Sequence, residues 1–191
     1  MGGIVIDCQN CFNLTTKLSV LSTFAVSQKI SYYNFKRKEM IKGLYETHIY
    51  VENLQRSIDF YKNVLGLEQC HYEEARKIAF FWIGKPQEAM LGIWEKPINE
   101  IDIRHFAFRC DQEFILNKSA EFLNSNGLKP YNFLKDGSDK PMVFAWMPAV
   151  AIYFLDPDGH QLEFISILEG NAKPELGVIS FDEWQKLSTK D

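Results

Sequence analysis

A chain of 191 residues with 21 Lys and Arg against 25 Asp and Glu carries a formal charge of −4. That balance excludes a dedicated nucleic-acid binder, since phosphate recognition draws on basic patches. The 46% hydrophobic fraction is that of an ordinary soluble globular chain, long enough for one domain or two small modules sharing a core, and no apolar run reaches membrane-spanning length. A small-molecule partner is the default that remains.

Composition changes near residue 40. Residues 1–39 hold Lys17, Lys29, Lys36, Arg37 and Lys38 against Asp7 and Glu39, a net of +3 that leaves −7 for the rest. No helical or strand period runs through them, and Leu18 to Val26 is too short for a bilayer span and poorly placed for a signal peptide. Lys36-Arg37-Lys38-Glu39 can be written wholly in purine codons directly before Met40, as a translated ribosome-binding sequence would. The expectation is therefore that Met40 is the native start and residues 1–39 an extension, not native or disordered. Among the cysteines, Cys8 and Cys11 form a lone CxxC with no second pair, and Cys70 and Cys110 follow at irregular spacing. Incidental thiols in a reducing, cytoplasmic setting fit that usage.

From Gly43 the elements are regular. Leu44 to Val51 alternates as a strand; Asn53 caps a helix from Leu54 to Leu65, with Leu54, Ile58, Tyr61 and Leu65 as its apolar stripe and Gly66 at its end. Strands follow at Gln69 to Glu73, Lys77 to Ile83 and Ala89 to Trp94. The order then recurs, with a strand at Ile103 to Cys110, a helix at Glu113 to Ser125 and strands at Tyr131 to Leu134, Val150 to Leu155 and Gln161 to Ile167. The fold class is α+β, two βαβββ modules (about 43–97 and 101–168) forming cupped mixed sheets around a central cleft, within a domain of residues 40–170. Residues 171–191 form a C-terminal tail, in which Ser180 and Glu183 make a capping box for a short helix.

One carboxylate breaks the pattern. Gln161-Leu-Glu-Phe164 follows the turn Asp156-Pro-Asp-Gly159, and Glu163 stands where alternation calls for an apolar residue, opposite in direction to Leu162 and Phe164. A buried carboxylate needs a cation, a metal or a dense set of hydrogen bonds, and the lone His105 offers a partner. Aligning Ile78–Trp94 with Val150–Ile165 puts Gly92 in the place of Glu163. In the first strand Glu46 and His48 share a face by the period of two, so both can look into the cleft.

Asn53-Leu-Gln-Arg-Ser-Ile-Asp-Phe-Tyr61 with Val64-Leu-Gly66, the strand bearing His105, and Phe154-Leu-Asp-Pro-Asp-Gly-His-Gln-Leu-Glu163 together resemble the vicinal oxygen chelate superfamily, over residues 43 to about 168. That superfamily includes glyoxalase I, fosfomycin-resistance proteins, extradiol dioxygenases and metal-free bleomycin-binding proteins. The resemblance implies metal ligands at His105 and Glu163. It puts the first-strand ligand, usually a His, at Glu46, with His48 two residues on as a further ligand or as acid or base. Where glyoxalase I carries a fourth-strand Glu, this chain has Gly92, a departure from that enzyme. Relatives of this size commonly form dimers with sites built from both chains, so the resemblance implies a homodimer.

The implied set is Glu46, His48, His105 and Glu163 as metal ligands, with Glu46 and His48 also as catalytic groups. A divalent ion on such donors, with open positions, is a catalytic Lewis acid; the donor set suits Zn, Ni, Mn, Fe or Co. The function expected is a metal-dependent enzyme of glyoxalase-like type, a lyase or thiol transferase acting on a small oxygen-rich substrate through a stabilised oxyanion. The alternatives are a metal-free binding protein of the bleomycin-resistance kind and a ring-cleaving dioxygenase. His160 reads as structural, His71 as a surface residue, and Asp156 and Asp158 as turn-makers. Asp136 to Ala149 is a lid or core packing, and Arg109, in phase with His105, is an anion partner or an edge salt bridge.

Overall fold

The computed structural model of the chain describes residues 41–188, so the expectations for residues 1–39, the Cys8/Cys11 pair and the Met40 start lie outside the described residues. The chain divides into two units, Met1–Leu44 and Tyr45–Asp191. Of the first, only residues 41–44 are described, without regular secondary structure.

The second unit contains two mixed sheets. In the first module β1 (Glu46–Val51) is followed by α1 (Leu54–Asp59), β2 (Glu68–Glu73), β3 (Ile78–Ile83) and β4 (Ala89–Glu95), in the sheet order β1-β4-β3-β2. The second module repeats the plan with β5 (His105–Arg109), α2 (Gln112–Asn117), α3 (Ser119–Ser125), β6 (Met142–Phe144), β7 (Ala149–Leu155) and β8 (Gln161–Ile167). To these the tail adds β9 (Val178–Ser180) at the edge, giving the order β5-β8-β7-β6-β9, and then α4 (Phe181–Ser188). In both modules the first strand pairs parallel to the last, β1 to β4 and β5 to β8, and the other pairs are antiparallel.

Alternation settles the two faces of each sheet. Ile49, Val51, Leu91 and Ile93 of the first sheet and Phe108, Ile152, Phe154, Leu162 and Phe164 of the second are buried in one continuous core with Leu54, Ile58, Ile115 and Leu123 of the helices. Each such side chain contributes about 1.5–3 kcal/mol on leaving water. Their neighbours in sequence, Glu46, His48, Gly92 and Trp94 in one sheet and His105, Ala107 and Glu163 in the other, therefore belong to the opposite faces.

The helices depart from the expected lengths for local reasons. The segment expected as one helix from Leu54 to Leu65 is α-helical to Asp59 and then widens to a π-turn over Phe60–Val64, where the Leu65 N–H donates to Phe60 O at 3.1 Å. The widened turn buries consecutive residues, Phe60 and Tyr61. The second helix breaks at Lys118 (φ −132°), beside a fully buried Ser119 whose hydroxyl donates to Ile115 O at 2.6 Å. Tyr131 makes a single bridge to Tyr153 instead of opening a strand to Leu134. Within Asp136–Ala149, Val143, Phe144, Ala145 and Ala149 are buried and Met142–Phe144 is a sheet strand, so this segment is core packing rather than a lid.

The modules are joined at the Asp156–Gly159 turn. Asp156 Oδ1 accepts from the N–H groups of Asp158 and His160, as a turn-maker should, while its Oδ2 accepts from the buried Tyr61 hydroxyl at 2.8 Å. Asp158 reaches the helix of the other module, accepting from Arg56, Ser57 and the Glu52 N–H. The capping box forms as expected, with Ser180 and Glu183 bonded reciprocally. Trp184 of α4 is buried in the core.

Candidate functional site

On the second sheet His105 and Glu163 meet. His105 opens β5 and Glu163 lies on β8 two pairs further along, next to Ala107, whose small side chain leaves the space above the sheet to the carboxylate. His105 Nε2 stands 3.1 Å from Glu163 Oε2, and His105 Nδ1 is 3.1 Å from the carbonyl oxygen of Gln161. A carbonyl only accepts, so Nδ1 carries the proton and, in neutral imidazole, Nε2 presents a lone pair. Glu163 is 4% exposed, and its second oxygen, Oε1, is buried with no hydrogen-bond partner. Burial raises the Glu163 carboxyl above its ordinary value, and the Tyr153 hydroxyl and, when its ring carries a second proton on Nε2, His105 pull it part of the way back.

Aromatic rings wall this pair. Tyr153 packs against His105 with centroids 5.7 Å apart and stacks on Tyr131 at 5.6 Å. Burial first, and the Glu163 charge second, hold both phenols above their usual range, so they stay protonated and can donate. His105, Tyr131, Phe133, Lys135, Tyr153 and Gln161 line a cavity of about 350 Å³.

On the first sheet Glu46 and His48 form the other pair. His48 Nε2 is 3.5 Å from Glu46 Oε1, and the Trp94 indole N–H donates to His48 Nδ1 at 2.8 Å. His48 and Trp94 line a second cavity of about 350 Å³ with Tyr50, Lys96 and Arg104. The four side chains expected as one ligand set are thus held as two pairs on two sheets. Among the described residues no group of three or more His, Cys, Asp or Glu side chains lies close enough to hold a metal ion.

The remaining expectations resolve individually. His160 is fully buried and structural: its Nδ1 accepts from the Arg104 N–H at 3.0 Å and its Nε2 donates to Tyr50 O at 2.8 Å, leaving no free nitrogen. His71 is exposed at the surface. Arg109 lines a different cavity, with Cys110, Asp111 and Ser166, rather than that of His105. Tyr153, Tyr131, Lys135 and Trp94 escaped the sequence reading. Strand alternation could have found Trp94, in phase with Gly92, and Tyr153, in phase with Ala151.

Comparison with known proteins completes the description. A profile of the Glyoxalase/Bleomycin resistance protein/Dioxygenase superfamily matches residues 43–164. The chain is 29% identical over 170 residues to a protein named metallothiol transferase FosB from Staphylococcus saprophyticus, covering 80% of this chain and 97% of that one. Among solved structures it is similar to an integron cassette protein from the mobile metagenome of the Halifax Harbour sewage outfall. That likeness has 32% identity and a TM-score of 0.56, covering 66% of this chain and all of that one. It also shares its fold with the genomically encoded fosfomycin resistance protein FosX from Listeria monocytogenes, at 21% identity and a TM-score of 0.51, over 67% of this chain and 95% of that one.

Proposed function

Because the chain belongs to the Glyoxalase/Bleomycin resistance protein/Dioxygenase superfamily, we propose that it is a metal-dependent enzyme that joins a thiol to a small oxygen-rich substrate, as the name metallothiol transferase describes for its relative. The observation that supports this reading is the His105–Glu163 pair, a nitrogen lone pair and a buried carboxylate 3.1 Å apart with one carboxylate oxygen unpartnered. The donors fit a divalent ion. An imidazole whose far N–H is held by a backbone carbonyl is oriented as metal-binding histidines are, and a buried carboxylate gains from a cation what burial costs it. The metal ligands on this reading are His105 and Glu163 with a first-strand group, Glu46 or His48, and the donor set suits Zn, Ni, Mn, Fe or Co.

The two pairs belong to one site in a homodimer, in which the Glu46 side of one protomer closes over His105 and Glu163 of the other. When bound, the ion would supply Lewis-acid polarisation of a substrate oxygen. The chain itself does the rest. Tyr153 and Tyr131 keep their protons and present donors to charge developing on that oxygen, Lys135 at the mouth draws an anionic substrate, and the aromatic walls limit water. Burial pushes the Cys110 thiol up to about 11 and raises Cys70, so among the described residues neither is a ready nucleophile. The thiol is therefore a co-substrate, and a reducing cytoplasm is where one is at hand.

The second reading is a metal-free binding protein, favoured by the aromatic character of the cavity beside His105. Elemental analysis after metal loading separates the two, followed by turnover assays with fosfomycin plus thiol, methylglyoxal plus thiol, and catechols. Stoichiometric metal and thiol-dependent consumption of one substrate is the expected result; metal-free protein with ligand binding alone overturns it.

A further inference from the structure

Resting on the metal-enzyme reading, we propose that Glu46 is the first-strand metal ligand and that His48 is a positioning residue, held by Trp94 in the tautomer that cannot ligate through Nε2.

Three independent observations carry this. The first is a matter of protons. Indole is a donor only, so the 2.8 Å contact from Trp94 Nε1 makes His48 Nδ1 an acceptor, and neutral His48 must then carry its proton on Nε2, which points at Glu46 Oε1 3.5 Å away. Ligation through Nε2 would require an imidazolate or the loss of the Trp94 bond. His105 is arranged the opposite way, with Nδ1 tied to Gln161 O and Nε2 left open.

The second is the register of the two modules. His48 pairs with Gly92 across β1 and β4, and Ala107 pairs with Glu163 across β5 and β8. Phe80 and Tyr153 stand on the far sides of Gly92 and Glu163. Matching Gly92 to Glu163 therefore matches His48 to Ala107 and Glu46 to His105, so Glu46 holds the ligand's place in its strand.

The third is space. A Cβ on Gly92 would lie 3.0 Å from Phe80 Cε1 and 3.3 Å from His48 Cε1 and Cγ, so the His48 ring lies over the ground that Gly92 leaves bare. Phe80 meets it edge-on at 5.5 Å and Trp94 lies beside it at 5.8 Å. In the second module a small residue, Ala107, sits beside the large Glu163; in the first the volumes are exchanged. His48 fills a cradle and directs its N–H at the carboxylate.

The test is a zinc titration of the full-length protein labelled with ¹⁵N in histidine, read by long-range ¹H–¹⁵N correlation, alongside zinc affinities of Glu46→Gln, His48→Gln and His48→Ala. The expected result is that the His105 Nε2 resonance moves on zinc binding while His48 keeps a protonated Nε2. Glu46→Gln should abolish tight binding, and His48→Ala should weaken it about 10–100-fold. His48→Gln, which keeps an acceptor and a donor, should restore most of the loss. If His48 Nε2 loses its proton and shifts with zinc, or His48→Gln binds no better than His48→Ala, the assignment is overturned while the metal reading stands. If zinc moves neither histidine in the wild type, the metal reading itself fails and takes this assignment with it.

Discussion

His105 Nε2 and Glu163 Oε2 face each other across 3.1 Å, and in the neutral imidazole, whose Nδ1–H is bonded to Gln161 O, Nε2 turns a lone pair toward the carboxylate. A lone pair and a carboxylate at that separation repel unless a proton or a cation lies between them. Removing the carboxylate charge should therefore relieve the metal-free protein and harm the loaded one. Glu163→Gln is expected to raise the Tm in chelator and to abolish the Tm increment that a divalent ion gives the wild type. Differential scanning calorimetry with and without metal checks both halves, and a variant that still gains from metal would contradict the ligand role.

The same residue sets a pH dependence. Burial raises the folded-state pKa of Glu163 above the unfolded carboxylate value of about 4.3. The folded protein then binds the proton more tightly than the unfolded chain, so this group's contribution to stability is complete at low pH and falls as pH rises from the unfolded value through the raised folded one. Urea unfolding of metal-free protein across the acid-to-neutral range should show that decline in the wild type and a smaller one in Glu163→Gln.

How far the sequence reveals this site differs between the two sheets. Glu163 announces itself as a charge at an apolar phase, and His105 as the sole histidine of a strand, so both can be named from the pattern. The tautomer of His48 depends on Trp94, 46 residues away, and no local period encodes a hydrogen bond across a parallel pair. The helices illustrate the same limit. The Leu54 to Leu65 stripe fixes a helix, but its π-turn buries Phe60 and Tyr61 together, and the Tyr61 hydroxyl finds its acceptor, Asp156, 95 residues away in the other module, beyond the reach of any local period.

The module clamp is a stability prediction. The Asp158 side chain has no exposure and accepts from the Arg56 guanidinium at 2.6 Å, the Ser57 hydroxyl and the Glu52 N–H. Asp158→Ala leaves these donors without their acceptor. The expected cost is about 2–3 kcal/mol, the range for a charge-assisted, buried acceptor, measured by urea unfolding. Arg56→Ala removes a half-exposed partner and leaves Asp158 its Ser57 and Glu52 donors, so it should cost less than Asp158→Ala in the same measurement.

The proposed joining of two half-sites in a homodimer is open to a mixing experiment. Glu46→Gln and His105→Ala should each be inactive as pure variants. When the two are unfolded together and refolded at equal concentration, random pairing makes about half of the dimers mixed. In a mixed dimer one site combines both substitutions and the other combines Glu46 of the His105→Ala chain with His105 of the Glu46→Gln chain, so it is intact. About a quarter of wild-type activity and of tight metal sites should return, following from the two-fold symmetry of such an interface. A site built within one chain would return nothing on mixing, because every protomer then carries its own defect. Titrating the ratio of the two variants sharpens the distinction, since recovered sites should peak at equal amounts and vanish at either extreme.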